Sequence, residues 1–387
     1  MFTYHIPTKV YFGKGVLNGF GKAVKEYGYK ALIVYGGGSV KKSGVYDTVT
    51  DELKNNGIDY IELGGIEPNP KIDSVRNGVM ICKEQNIDFV IALGGGSSMD
   101  ASKFICAASC TDTDVWTIIK DKIPLKKVLP LICVPTIAAT GSEMDNTAVL
   151  NNPLTKEKCA LIDDKLFPFA AFCDPELTYS VNEYQTACGS ADIFSHILEV
   201  YLNKNQNLYM LDTQMEGMLK TVVKYAPLAV KEPCNYEARS NLMWTSSWAI
   251  NGYIYGCNKN PWSCHPIEHQ LSAVYDITHG LGLAIITPAW MEYILDKTNT
   301  DRFCMLGTNV FGIDSSLDKK ETALKTIECV KDFFYNKLCL KSRLSELGIN
   351  SEHFEEMAQK ACGLNGYING YKALYPKDVI NIYYKCL

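Results

Sequence analysis

Long apolar runs are missing from this sequence: no stretch reaches the ~18 residues of a membrane-spanning helix. The start, Met1-Phe2-Thr3-Tyr4-His5-Ile6-Pro7, lacks a basic region followed by an apolar stretch, so no secretory leader is expected. A basic stripe is missing too. Lys and Arg number 38 against 43 Asp and Glu, a net charge of −5, which speaks against nucleic acid, whose recognition needs clustered cations. The fifteen cysteines are scattered, odd in number and never spaced Cys-x-x-Cys. Without an export signal they read as reduced core thiols, and a cytoplasmic protein is expected. Histidine is scarce, at six. The G-x-G-x-x-G fingerprint of ordinary dinucleotide folds is absent.

What is present is an ordinary globular composition, 47% hydrophobic and 21% charged over 387 residues, long enough for about two or three domains, with two favoured. The first half alternates strand and helix patterns. The apolar runs 31–35 and 88–93 each end in Gly-Gly-Gly-Ser, at Gly36 and Gly94, and a third strand is expected over 128–134. Between the first two runs, Ile72, Val75, Val79 and Cys82 keep a helical period. Continuous apolar strands alternating with helices predict a parallel sheet covered on both faces. Beyond residue 180 long helical segments take over, at 184–203, 207–230 and 236–256. A turn signal at Asp174-Pro175 separates the two textures. The expected domains are residues 1–180, α/β, and 181–387, all-helical.

Three glycines after a strand let a bulky anion approach the backbone, and the helix that follows offers unpaired N–H groups and a positive dipole end. The run Leu93-Gly94-Gly95-Gly96-Ser97-Ser98-Met99-Asp100-Ala101-Ser102-Lys103 has both parts. A plain tight turn is the bland alternative. The second glycine loop and the small polar run 136–143 favour a diphosphate cradle, because turns at strand ends of one sheet line one crevice. In the first loop, Gly36 stands where a carboxylate would hold a ribose 2′-hydroxyl. Gly37, Gly38, Ser39, Lys41 and Lys42 follow. Uncharged room with nearby ammonium groups tolerates NADP, although solvated lysines explain the same pattern.

Four of the six histidines lie between 196 and 279, with an aspartate one helical turn before the first: Asp192, His196, His265, His269 and His279. Asp192 and His196 are spaced i, i+4, as are His265 and His269, which puts each pair on one helix face. Imidazole and carboxylate together suit iron(II) or zinc. His5 and His353 stand apart as structural or surface residues. Residues 265–269, His-Pro-Ile-Glu-His, also match the H-x-x-E-H pattern of one metallopeptidase class. That pattern leaves Asp192, His196, His279 and the glycine loops without a task. A non-catalytic metal or nucleotide binder is a third class.

The chain resembles the iron-containing (group III) alcohol dehydrogenases, most closely their butanol dehydrogenase branch, over essentially its whole length. The resemblance is carried by residues 7–13 (Pro-Thr-Lys-Val-Tyr-Phe-Gly), both Gly-Gly-Gly-Ser loops, 139–144 (Ala-Thr-Gly-Ser-Glu-Met), 191–196 (Ala-Asp-Ile-Phe-Ser-His), 264–269 and Thr278-His279-Gly280. It implies an α/β plus all-α fold, with a Rossmann-like parallel-sheet nucleotide-binding domain, a C-terminal helical metal-binding domain and an active site in a cleft. It implies Asp192, His196, His265 and His279 as metal ligands, with His269 near the nicotinamide as proton relay. It also implies coenzyme contacts at Gly94, Gly95, Gly96, Ser97 and Ser98, helped by Asn69, Thr136, Thr140 and Lys158; Gly37, Gly38, Ser39 and Asp100 are expected in the same coenzyme site. NADP or NAD, Fe2+ or Zn2+, a small primary alcohol or aldehyde and a homodimer complete the implied picture. A glycerol-type dehydrogenase or a dehydroquinate-synthase relative shares the fold. Asn182 stands where the family usually has proline, a departure expected to loosen the strand beside it. Trp244, Trp248, Tyr253 and Trp262 are either pocket walls or core.

Overall fold

The computed structural model describes residues 2–203, 208–257 and 262–387. Its contacts divide the chain into two compact units. One comprises Tyr4–Val181 and Pro233–Asn251; the other comprises Asn182–Glu232 and Gly252–Leu387, with Phe2 and Thr3.

The first unit is built on strands β1 (Lys9–Phe12), β2 (Lys30–Tyr35), β3 (Asp59–Leu63), β4 (Phe89–Gly94), β5 (Leu131–Pro135) and β8 (Ala170–Cys173), with β6 (Thr147–Asn152) and β7 (Glu157–Ile162) forming a separate antiparallel pair. Its helices are α1 (Phe20–Val24), α2 (Ser39–Lys42), α3 (Val45–Asn55), α4 (Ile72–Gln85), α5 (Gly96–Ala108), α6 (Val115–Lys120) and, from later in the chain, Tyr236–Ile250. The six-stranded sheet runs β1-β8-β5-β4-β2-β3 and every pairing is parallel. Strand residues alternate between two cores. Ala31, Ile33, Phe89 and Ile91 pack with Val45, Val49 and Leu53 of α3; Leu32, Val34, Val90 and Ala92 pack with Ile72, Val75 and Phe104 of α4 and α5. Both faces are therefore covered, as the continuous apolar runs predict. The chain passes from β2 outward to β3, then returns to place β4 on the other side of β2. The direction of winding reverses between β2 and β4, where open α/β sheets leave a crevice.

The third strand starts at Leu131, later than the expected 128. Leu129 spends its N–H on the carbonyl of Cys106, and Pro130 has none to give. Under the sheet, Lys103 is fully buried and bonds the Asp145 carboxylate and the Thr147 carbonyl, tying α5 to the start of β6.

The second unit consists of α7 (Glu183–Tyr201), α8 (Tyr209–Lys231), α10 (Cys264–Tyr275), α11 (His279–Ile294), α12 (Thr300–Phe311), α13 (Lys319–Lys331), α14 (Phe354–Cys362) and α15 (Pro376–Lys385), the intervening α9 being Tyr236–Ile250. α7 packs on α8 and α11, and α10 on α11 and α14. Gly280 permits the closest approach, since a Cβ there would sit 2.0 Å from the Cys188 carbonyl oxygen of α7.

Two expectations change. The segment 236–250, placed by its helical texture with the second half, belongs to the first unit: Gly141 lies so close to Ser246 that a Cβ would be 2.3 Å from its carbonyl, and Phe12 meets Trp244 edge-on at 5.0 Å. Helical texture reports local periodicity, not which core a helix faces. Asn182 does not loosen a strand. It caps α7, its Oδ1 accepting from the Gln185 N–H at 2.8 Å, as asparagine does well at a helix start.

Candidate metal centre and coenzyme loops

In the second unit, the spacing of Asp192 and His196 on α7 places both inward, buried to 2% and 5% exposure. His265 opens the first turn of α10 and His279 the first turn of α11. Three imidazole Nε2 atoms converge on one oxygen. Asp192 Oδ1 lies 3.5 Å from His196, 3.8 Å from His265 and 3.8 Å from His279. Asp192, His265 and His279 present ligand atoms within 4.8 Å of one another; His196 stands just outside that group but stacks on His265, centroids 4.7 Å apart.

The donor set passes a simple test of fit. Asp192 Oδ1 and His265 Nε2 are buried and without a hydrogen-bond partner. Leaving such groups unpaired is costly unless something satisfies them. Separations of 3.5–3.8 Å are long for hydrogen bonds. They match the ~3.4 Å edge of a tetrahedron with ~2.1 Å metal–nitrogen bonds. The residues present fit a borderline divalent cation.

Charges around the cluster are strongly skewed. Burial works to raise the Asp192 carboxyl, but His196, His279 and His265 together hold it well below the usual carboxylate range. Burial pushes His196 down to about 4 against the pull of Asp192. Burial also works against a charged His265, yet Glu199 and Asp192 outweigh it and lift it to about 10.

Two glutamates that sequence patterning did not single out as partners complete the surroundings. Glu199 follows Asp192 and His196 on the same face of α7, at i+7. One of its oxygens bonds His265 Nδ1; the other accepts the N–H groups of Ser263, Cys264 and His265 at 2.7, 2.6 and 3.3 Å. It therefore caps α10 while holding a histidine. Glu268, fully buried, bonds His279 Nδ1 through Oε2 and accepts from Ser272 Oγ through Oε1 at 2.6 Å. Gly282 clears the space for it, since a Cβ there would lie 2.6 Å from Oε1. Sequence spacing carries no signal for the contact of Glu268 with His279, which lies 11 residues on at the start of another helix. A buried carboxylate shared between Ser272 and His279 is no free general base, which counts against the peptidase pattern. Glu268, His269 and His279 form a second grouping of possible ligands. His269 lies 5.4 Å from the His279 ring and 6.1 Å from His265 by centroids. Of the four aromatic residues named from sequence, Trp262 packs on His196 and His265, whereas Trp244 and Trp248 pack on each other in the first unit.

In the first unit, the loops after β2, β4 and β5 are neighbours. Tyr35 pairs with Leu93 and Gly94 with Pro135, so Gly37, Gly38 and Ser39 come beside Gly94, Gly95, Gly96, Ser97 and Ser98, with Thr136 next. The Thr136 N–H donates to the Gly94 carbonyl at 3.0 Å. The Thr140 side chain covers Gly96 so closely that a Cβ would be 2.5 Å away. Asn69, in a left-handed conformation, accepts from Lys158 Nζ at 3.1 Å. Asp100 accepts from Ser142 Oγ at 2.8 Å and from the Val149 N–H at 3.0 Å, tying the 136–143 loop and β6 to α5. Lys41, expected to face a coenzyme phosphate or water, bonds Glu62 at 2.7 Å and lies over Tyr35 and Tyr46.

Glycine loops at a winding reversal and a carboxylate ringed by imidazoles are the equipment of a metal-dependent, nucleotide-linked enzyme. The iron-containing alcohol dehydrogenase family matches residues 7–175, and the C-terminal domain of the Fe-containing alcohol dehydrogenase family matches residues 186–387. The chain is 46% identical over 385 residues to NADH-dependent butanol dehydrogenase A of Clostridium acetobutylicum, covering 99% of each. It is 37% identical over 365 residues to the NADPH-dependent aldehyde reductase YqhD of Escherichia coli, covering 93% of this chain and 92% of that one. The crystal structure of NADH-dependent butanol dehydrogenase A from Thermotoga maritima superposes with a TM-score of 0.94 at 35% identity, covering 100% and 98%. The chain belongs to the iron-containing alcohol dehydrogenase family, in its butanol dehydrogenase branch. It is a metal-dependent, NAD(P)-linked alcohol dehydrogenase or aldehyde reductase.

Proposed function

We propose that this enzyme interconverts short primary alcohols, butanol among them, and their aldehydes, with iron(II) held by Asp192, His196, His265 and His279. The observation that carries this is the convergence of three Nε2 atoms on one unpartnered, buried carboxylate oxygen. Neutral imidazole and carboxylate suit iron(II) or zinc. A divalent cation supplies Lewis acidity toward the substrate oxygen, and the nicotinamide gives or takes the hydride.

The chain's own residues do the rest. Glu199 and Glu268 hold the far nitrogens of two ligand imidazoles. Gly94, Gly95, Gly96, Ser97 and Ser98 receive the coenzyme diphosphate at the start of α5, with Asn69, Thr136, Thr140 and Lys158 around it; Asp100 holds the neighbouring loop. The imidazole of His269 takes the alcohol proton or returns it, the general acid–base task that histidine most often serves. Gly37, Gly38 and Ser39 bring no carboxylate to a ribose 2′ position, so NAD and NADP both fit. Lys41 is already committed to Glu62, which weakens the cationic support for NADP.

Among the described residues no helix is long and apolar enough to cross a membrane, in keeping with a cytoplasmic enzyme. A homodimer is the proposed assembly. Metal content by elemental analysis, combined with NADH and NADPH oxidation by butyraldehyde, tests the proposal. Metal-free protein that retained full turnover would end it.

A further inference from the structure

Glu199 and Glu268 are both buried, both bond the Nδ1 of a ligand histidine, and differ in what their second oxygen does. We propose that they are positioning residues that fix the protons of His265 and His279 on Nδ1, keeping each Nε2 free for the cation, and that only Glu199 needs to be a carboxylate to do so.

The tautomer follows from counting donors. Glu199 Oε2 accepts three backbone N–H groups at the first turn of α10. A carboxylate has acceptors only, so the hydrogen in the contact between Oε1 and His265 must come from Nδ1. The same holds for Glu268 Oε2 and His279. In the neutral ring, the form that a cation binds, the opposite nitrogen is then the lone-pair donor, and in both residues it faces Asp192 Oδ1. Such outer partners orient metal-binding histidines and raise their basicity. His196 has no such partner: its Nδ1 is buried and unbonded among the described residues.

An amide in place of each carboxylate separates the two. In Glu199→Gln, the amide oxygen must serve the backbone N–H groups, which cannot accept. The NH2 is then aimed at His265 Nδ1, the ring must accept there, and its proton moves to Nε2 and blocks the ligand atom. In Glu268→Gln, the amide oxygen can keep His279 Nδ1–H, because the Ser272 hydroxyl can accept the NH2. That hydroxyl already has the Ile277 carbonyl at 3.4 Å to receive its own hydrogen.

This rests on the proposed ligand set, and the test keeps the two apart. Zn(II) affinity is measured by chelator competition on the full-length protein, alongside 15N ring spectra of the Zn(II)-loaded form. Glu199→Gln is expected to weaken Zn(II) binding 10–100-fold, the range for lost outer partners. Glu268→Gln is expected to change it less than threefold, and Glu268→Leu to fall with Glu199→Gln. Wild-type spectra should show Nδ1–H and metallated Nε2 for His265 and His279. Equal affinities for the two amide variants, or a metallated Nδ1, overturn the inference. If His265→Ala itself keeps wild-type affinity, the ligand set is wrong instead. Should Glu199→Gln not fold, the Glu268→Gln and Glu268→Leu comparison decides: similar losses in both overturn the proposal.

Discussion

His196 and His265 stack face to face, their ring centroids 4.7 Å apart and their planes 13° from parallel. The two residues are 69 positions apart in sequence, on α7 and α10, and each points Nε2 at the same Asp192 oxygen. Stacking fixes both ring planes, so the loss of either imidazole removes a donor and the wall that orients the other.

Replacing His265 by Ala should therefore abolish both bound metal and turnover. Replacing His269 by Ala should leave metal content intact and slow turnover by about 10²–10⁴, the usual worth of a proton-transfer group. Metal analysis and steady-state rates on the two variants check this; metal loss in the His269 variant would move that residue into the ligand set.

Removal of the cation should destabilise the helical unit. Glu199, Glu268 and Asp192 place three buried carboxylates around the histidines, and a bound cation offsets their mutual repulsion. Free metal at 100 times Kd contributes about 2.7 kcal/mol. Calorimetry with and without chelator should show the corresponding fall in Tm.

Coenzyme choice can be probed at Gly37. A Cβ at Gly36 would lie 3.3 Å from the Ile66 carbonyl oxygen, whereas Gly37 has nothing within 4 Å. Gly37→Asp should fold normally and penalise NADPH relative to NADH at least tenfold in kcat/KM, about 1.4 kcal/mol. An unchanged ratio would mean this loop does not read the 2′ position.

Asp145→Asn removes the anionic partner of a lysine that has no exposure, leaving it the Thr147 carbonyl. Stranding a buried charge costs about 3–5 kcal/mol. Denaturant unfolding should show that loss in the α/β unit.

Thiol chemistry should follow burial. Cys234, Cys257 and Cys339 are exposed, while burial pushes the Cys106, Cys173 and Cys264 thiols far up. Brief alkylation of native protein, read by mass spectrometry, should label the first three and spare the second.

The sheet was legible in the sequence because strands buried on both faces write themselves as unbroken apolar runs, and the glycines mark where β2 and β4 stop. The histidine cluster was legible because imidazole is rare and i, i+4 spacing survives into the helix. Glu199 was not: its task exists only because the α10 start arrives beside it 64 residues later. Gly280 and Gly282 were equally opaque, since each answers to a neighbour on another helix, Cys188 on α7 and Glu268 on α10.

The membership of α9 in the first unit bears on synthesis. The ribosome delivers β1 through β8 first, then α7 and α8, and only afterwards the helix whose Ser246 nests on Gly141. Folding that proceeds from the N-terminus as the chain emerges must leave this unit without its last helix until two helices of the other unit have been made. Truncation after Val181 should yield not a small stable protein but a nascent-like species with an uncovered flank, prone to self-association.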